Sequence, residues 1–151
     1  MYQLLTVYHS IFNWLVLMSI LYSIWLAYQS KITGLSFSGY PMKVFRCSVG
    51  LTLLQLAIGV MIYTRSHITG NFWRDQLFLK DMEGFFFSLI HSVLITIAAA
   101  VMFVAVVSPR KSIPKEKLFN KIIICFSIAL IIILLSVPWP FSPFIKRPYV
   151  R

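Results

Sequence analysis

Residues 84–107 read GFFFSLIHSVLITIAAAVMFVAVV, and this stretch decides the fold class. It contains no Lys, Arg, Asp or Glu, and its one histidine is His91. An α-helix rises about 1.5 Å per residue, so roughly 20 apolar residues cross a hydrocarbon core of about 30 Å. The stretch therefore predicts a transmembrane helix.

Three further apolar runs have a similar length and predict three more transmembrane helices. In chain order the four runs are Leu4–Tyr28, Val44–Tyr63, Gly84–Val107 and Phe119–Val137. Their charged residues are Arg46 and Lys121, each near the start of its run. Since unpaired backbone groups are not tolerated in lipid, the sequence predicts an all-α integral membrane four-helix bundle, with residues 1–151 forming a single domain.

Composition supports a membrane protein and excludes two other classes. Of the 151 residues, 59% are apolar and 12% are charged, about half the charged fraction of a soluble domain. The apolar content also excludes a disordered chain. The net charge of +10 comes from basic residues between the apolar runs, at the level of the lipid headgroups. We therefore expect a lipid bilayer as a partner and no nucleic acid.

The loop charges predict an orientation. Eight Lys and Arg residues belong to the first and third connections when Arg46 and Lys121, at the starts of the runs that follow them, are counted with them; six lie in the N-terminus, middle connection and C-terminus. Because cytoplasmic loops carry the excess of basic residues, this margin favours both termini outside. We expect a multi-pass protein of a bacterial inner membrane with periplasmic termini. The first run is too long and has no preceding Lys or Arg, so it is not expected to be a cleavable signal peptide.

The middle connection, residues 64–83, mixes aromatic and charged side chains and predicts an amphipathic segment in the membrane interface. At the chain end, Pro138 should stop the fourth helix, and Trp139 and Phe141 suit the interface as aromatic anchors. Cys47 and Cys125 have no CxxC spacing and are expected to be small buried apolar residues.

Two histidines lie within predicted membrane helices. The dipeptide His-Ser occurs in both, as Tyr8-His9-Ser10 and Ile90-His91-Ser92, and forms a weak internal repeat. The repeat predicts two tandem helical hairpins of the same orientation, with both histidines at similar depth near the outer face. Buried ionisable residues in a membrane mark functional sites by default.

Two imidazoles on separate helices of a bundle suit the axial positions of one haem iron. The sequence therefore predicts haem b between His9 and His91. Copper, another ligand or purely structural histidines are the alternatives. Groups that could support the site are Asn13, Gln55, Arg65 and Arg74. The two arginines could pair with haem propionates. Gln55 could instead act as polar glue between helices or contact a quinone. Gly59, with Gly50 earlier in the same run, could let a neighbouring helix or a flat cofactor approach closely.

Enzyme signatures such as GxSxG, HExxH, the P-loop and the Rossmann fingerprint do not occur in the sequence. Paired carboxylates within the predicted helices do not occur either, which argues against a proton-driven transporter. The sequence favours an electron carrier or a structural subunit over an enzyme.

Four short motifs carry a resemblance to a known group of proteins. They are His9-Ser10, residues 54–59 (LQLAIG) with Tyr63, Lys80-Asp81 with Asp81 ten residues before His91, and residues 136–139 (SVPW). With these motifs, the chain resembles the small four-helix membrane proteins of Bacteroidota that are labelled cytochrome B or cytochrome b-like. The resemblance implies haem binding and electron transfer.

Two positions depart from that pattern. Similar proteins often have Glu where this chain has Ile90, and Arg where it has Val137. The loss of an acid and a base suits a second hypothesis, a cofactor-free accessory subunit of a respiratory or secretion complex. A third hypothesis is a quinone or metal-ion handling protein that uses the same histidines.

Overall fold

The computed structural model describes residues 2–75, 82–107, 114–137 and 139, and this part of the chain is helical with short connections. Its helices are α1 (Tyr2–Ile32), α2 (Tyr40–Arg65), α3 (His67–Asp75), α4 (Met82–Val107) and α5 (Lys115–Ser136). Helices α1, α2, α4 and α5 are each long and apolar enough to cross a membrane. The predicted fold class, a helical bundle of membrane type, is confirmed.

The membrane helices extend beyond the apolar runs that predicted them. Helix α1 continues past Tyr28 to Ile32, and α2 begins at Tyr40, four residues before Val44. Pro41 is favourable in the first turn of α2, because the amide hydrogen that proline lacks would have no partner there. Hydropathy locates the part of a helix in hydrocarbon, whereas the hydrogen-bonded helix continues into the more polar ends.

The four long helices form a ring in which sequential neighbours pack together, and α5 closes the ring against α1. Neighbours are antiparallel, because residues later in one helix contact residues earlier in the next. In α1 and α2, Ser19 Oγ lies 3.0 Å from Ser48 Oγ and Tyr22 Oη lies 2.8 Å from Tyr40 Oη. In α2 and α4, Thr52 contacts Met102 and Tyr63 contacts Ser88. Helices α1 and α4 therefore run parallel at opposite corners. The two hairpins have the same orientation, as the weak repeat predicted.

Four phenylalanines fill the core at the end of the bundle that carries the first connection. Phe37 lies in that connection, and its ring centre is 6.0 Å from Phe45 of α2 and 5.0 Å from Phe119 of α5. Phe126 of α5 packs on Phe45 at 6.2 Å. All four are buried, so aromatic packing closes this end of the bundle.

Helix α3 occupies the first half of the connection that was predicted to be amphipathic. Phe72 is fully buried and packs against Phe85 at the start of α4, whereas Trp73 is half exposed. Trp73 Nε1 donates a hydrogen bond of 2.8 Å to Tyr63 Oη of α2. These contacts hold α3 against the end of α2 and the start of α4. Residues 76–81 of the predicted segment lie outside the described residues.

Trp139, which follows the end of α5, packs against α1. Helix α5 ends at Ser136, and Trp139 packs on Trp14 of α1 with ring centres 6.4 Å apart. Pro138 and Phe141 lie outside the described residues.

The two cysteines differ in burial. Cys47 is exposed on the outer surface of α2, so the prediction that it is buried was wrong. Cys125 is half-buried against the core.

Candidate functional site

His9 and His91 face each other across the bundle. They come from α1 and α4, the parallel helices at opposite corners, and their ring centres are 6.4 Å apart with an angle of 72° between the ring planes. His9 lies seven residues after the start of α1 and His91 nine residues after the start of α4. At about 1.5 Å per residue, both rings lie roughly 10–14 Å inside the bundle from the same end. The predicted pairing at similar depth is what the structure shows.

A backbone carbonyl orients the ring of His91. Its Nδ1 lies 2.8 Å from the carbonyl oxygen of Ser136, the last residue of α5. The last carbonyls of a helix have no hydrogen-bond partner within the helix. The Ser136 carbonyl can therefore accept from His91, because Val137 leaves α5 in an extended conformation. A carbonyl can only accept, so Nδ1 carries the hydrogen and Nε2 of the neutral ring keeps its lone pair. Metal-binding histidines are usually held in this way.

The turn that leads to His91 is not a regular α-helix. Residues Phe86–His91 form a π-helical turn within α4, a feature that is rare and often found at functional sites. The rings of Phe86 and Phe87 lie 6.2 Å and 6.1 Å from the ring of His91. Two phenyl rings thus surround His91 and keep that side of the site apolar.

Gln55 connects α2 to the backbone at His9. Its side chain is 5% exposed, and Nε2 donates a hydrogen bond of 2.9 Å to the carbonyl oxygen of His9. The prediction that this amide faces the interior and bonds to another helix is confirmed. Gln55 Oε1 and His9 Nδ1 are both buried and have no hydrogen-bond partner among the described residues. The site therefore contains one unused acceptor and one unused ring nitrogen.

Gly59 lets α2 approach the ring of His9 directly. A Cβ atom at Gly59 would lie 3.3 Å from Cε1 and 4.0 Å from Nδ1 of His9. The predicted close approach is confirmed for Gly59, and the neighbour is the histidine itself. For Gly50 the prediction was wrong, because a Cβ there would meet no atom within 4 Å.

These two glycines give a matched test of the packing around His9. Gly50→Ala should leave stability unchanged or raise it by about 0.5–1 kcal/mol, because alanine restricts the unfolded chain and fits the open position. Gly59→Ala should not raise stability, and it should displace the His9 ring. The added Cβ atom would lie 3.3 Å from Cε1 of His9, which is too close for relaxed packing. Thermal unfolding in detergent or nanodiscs measures both effects. Equal stabilities for the two variants would show that the His9 ring moves freely.

The other predicted site residues lie farther from the imidazole pair. Asn13 is half-buried one turn along α1 from His9, and the described residues provide no hydrogen bond to its amide. Arg65 and Arg74 are exposed, at the end of α2 and in α3. His67, the first residue of α3, is exposed as well. The structure therefore brings together His9, His91 and Gln55, and leaves both arginines at the adjacent end of the bundle.

Sequence reasoning missed the Ser136 carbonyl and the two phenylalanines beside His91. A backbone carbonyl carries no signal in its residue type. The one indication of it in the sequence was Pro138, which was predicted to end the fourth helix, because the last carbonyls of a helix lack partners within the helix. Phe86 and Phe87 belong to a run of three phenylalanines that hydropathy assigns to lipid contact as readily as to the site.

The donor set decides which metal centres the site could hold. Among the described residues, no group of three or more His, Cys, Asp and Glu side chains could bind a metal ion. A structural or catalytic zinc site needs three or four protein ligands, whereas haem iron needs only two, because the porphyrin supplies the rest.

The separation of the rings fits two ligands on opposite sides of one metal. A metal–imidazole bond is about 2 Å long, which places opposed ring centres about 6 Å apart and tetrahedral ones about 5 Å apart. The observed 6.4 Å matches the opposed arrangement. In number, donor type and separation, the two imidazoles fit what haem iron requires of a protein.

Comparison with known proteins adds no relative. No protein-family model, curated protein or solved structure matches the chain. The cytochrome b-like resemblance stays a prediction that rests on the motifs of the sequence, and the functional argument depends on the geometry of the site.

Proposed function

We propose that the protein is a small b-type cytochrome-like electron carrier of the membrane, with one haem b held between His9 and His91. The observation that carries this proposal is the imidazole pair itself. Two rings from opposite corners of the bundle lie 6.4 Å apart, and one of them is fixed by a backbone carbonyl with Nε2 available. Bundle interiors of this kind are a common place for cofactors ligated from facing helices.

Bound haem would supply the one-electron chemistry, and the surrounding residues would hold and shield it. The Ser136 carbonyl holds His91 in the Nδ1–H tautomer. Gln55 fixes the backbone that carries His9, and Gly59 packs against the ring. Phe86 and Phe87 keep water from one side of His91, which lowers the local polarity.

The position of the pair near one end of the bundle suits electron exchange at that face. The rings lie about 10–14 Å from the helix starts, so a partner at this face would be close to the iron. Arg65 and Arg74 are at the same end, where guanidinium groups can bind propionates. Suitable electron partners would be another membrane subunit or a quinone.

A visible absorption spectrum of the purified protein tests the proposal. We expect a Soret band that shifts and sharpens on reduction, with a haem content that approaches one per chain after reconstitution. Protein that is folded by circular dichroism but stays colourless with added haem would overturn the cytochrome proposal.

One observation favours a second candidate, a cofactor-free subunit of a larger membrane complex. The His91 hydrogen bond to Ser136 satisfies a carbonyl at the end of α5, and this structural role alone accounts for a buried histidine. If this candidate holds, the wild type stays colourless and His91→Ala still lowers stability by roughly 1 kcal/mol, the typical contribution of one hydrogen bond.

The proposed localisation is a bacterial inner membrane with both termini in the periplasm. This orientation places α3 outside and Lys115, at the start of α5, inside. In a background without Cys47 and Cys125, a cysteine at His67 should react with a membrane-impermeant maleimide added to whole spheroplasts. A cysteine at Lys115 should react only after lysis. The reverse pattern would invert the orientation and put the imidazole pair near the cytoplasm.

A further inference from the structure

Two buried polar atoms at the imidazole pair, Gln55 Oε1 and His9 Nδ1, find no hydrogen-bond partner within the described part of the chain, and they belong to residues that already touch. Gln55 Nε2 donates to the carbonyl oxygen of His9, which holds the amide beside that residue. The Oε1 atom of the same amide can only accept, and Nδ1 of His9 is one of two nitrogens that can carry the ring hydrogen. Leaving both atoms unpaired inside an apolar bundle is costly.

From this geometry, we infer that Gln55 is the positioning residue of His9, with Oε1 accepting the Nδ1 hydrogen directly or through one buried water. This inference rests on the proposed haem site, which it deepens by assigning the ligating atom. With Nδ1 carrying the hydrogen, His9 presents Nε2 to the iron. A water suits the bridging role because Nδ1 and Oε1 provide two polar partners.

The inference makes the two halves of the site equivalent. His91 is held by the carbonyl of Ser136 on α5, and His9 is held by the amide oxygen of Gln55 on α2. The two supporting groups come from α2 and α5, which occupy the other two corners of the ring. Each histidine thus binds through Nε2 and is oriented by the helix beside it, which is the usual arrangement for metal-bound imidazoles.

The experiment uses full-length protein with ¹⁵N-labelled histidine in lipid nanodiscs, first without haem and then with haem added. Nitrogen chemical shifts distinguish the Nδ1–H tautomer from the Nε2–H tautomer. In the haem-free wild type we expect His9 and His91 both as Nδ1–H. Gln55→Leu should move His9 away from that tautomer and leave His91 unchanged. Gln55→Glu, which keeps an oxygen acceptor, should restore the wild-type pattern.

Thr52→Val is the matched control. Thr52 lies about one turn from Gln55 on α2, is buried, and donates its hydroxyl hydrogen to the backbone carbonyl oxygen of Ser48. It should alter neither histidine. Gln55→Met, which keeps the length and flexibility of the side chain, replaces the leucine variant if that protein does not fold. On haem addition, the apolar Gln55 variants should bind about 10–100-fold more weakly than wild type, and Thr52→Val should bind normally.

The two proposals fail in different ways. A wild-type His9 that is Nε2–H, or a tautomer that Gln55→Leu does not change, would overturn the role of Gln55 whether or not haem binds. A wild type that shows the expected tautomers but takes up no haem would overturn the proposed function and leave Gln55 as the group that orients His9.

Discussion

Replacing His9 or His91 with alanine will abolish the low-spin, six-coordinate spectrum that the proposed haem site predicts. In the proposed site each ring would supply one of the two protein ligands, and the 6.4 Å between the ring centres leaves space for only one metal between them. With a single imidazole, the iron has an open position and becomes high-spin or is lost during purification. Visible absorption and electron paramagnetic resonance of the reconstituted variants measure the change.

His67→Ala is the control for this pair of variants. His67 is exposed at the start of α3, outside the bundle interior, so its loss should leave the spectrum intact. Glutamine at His9 or His91 is a second pair of variants that keeps a polar side chain and protects folding. If both alanine variants fold, reach the membrane and retain the wild-type spectrum, other residues bind the haem and the assignment of the ligands is wrong.

The fold could be predicted from sequence because lipid imposes a simple condition on each segment. A run such as residues 84–107 has no charge and enough length to cross the hydrocarbon core, so a membrane helix follows almost directly. The helix ends were less predictable, since Gln29, Ser30 and Lys31 are polar yet continue α1. Hydrogen bonding extends a helix where hydropathy no longer favours it.

The imidazole pair could be predicted because its two members are conspicuous and the topology is short. Buried histidines in apolar helices carry a cost, and up-and-down connections place both at the same end of the bundle. Gln55 was predictable for the same reason, as a lone amide among apolar residues. Its partner was not, because the acceptor is the backbone of His9 rather than a polar side chain.

The sequence could not predict which side of each ring would face which helix. That arrangement depends on the rotation of α2 that puts Gly59 against His9, and on the π-helical turn that sets the direction of His91. Both are consequences of packing among several helices at once. Gly50 and Gly59 look alike in the sequence, yet Gly50 faces open space and Gly59 faces the ring of His9.

The second large effect is expected at the end of the bundle opposite the histidines. Phe126→Ala should lower the free energy of unfolding by about 3–5 kcal/mol, because it removes a fully buried ring from the phenylalanine cluster and leaves a cavity beside Phe45. Ile124→Ala on the same helix is the control, since Ile124 is exposed and its truncation opens no cavity. Unfolding in mixed micelles with increasing denaturing detergent measures both.

The haem spectrum of folded Phe126→Ala protein should match that of the wild type, since the cluster is remote from His9 and His91. A loss no larger than that of Ile124→Ala would mean that the helices close over the missing ring, and that packing at this end does not hold the bundle together.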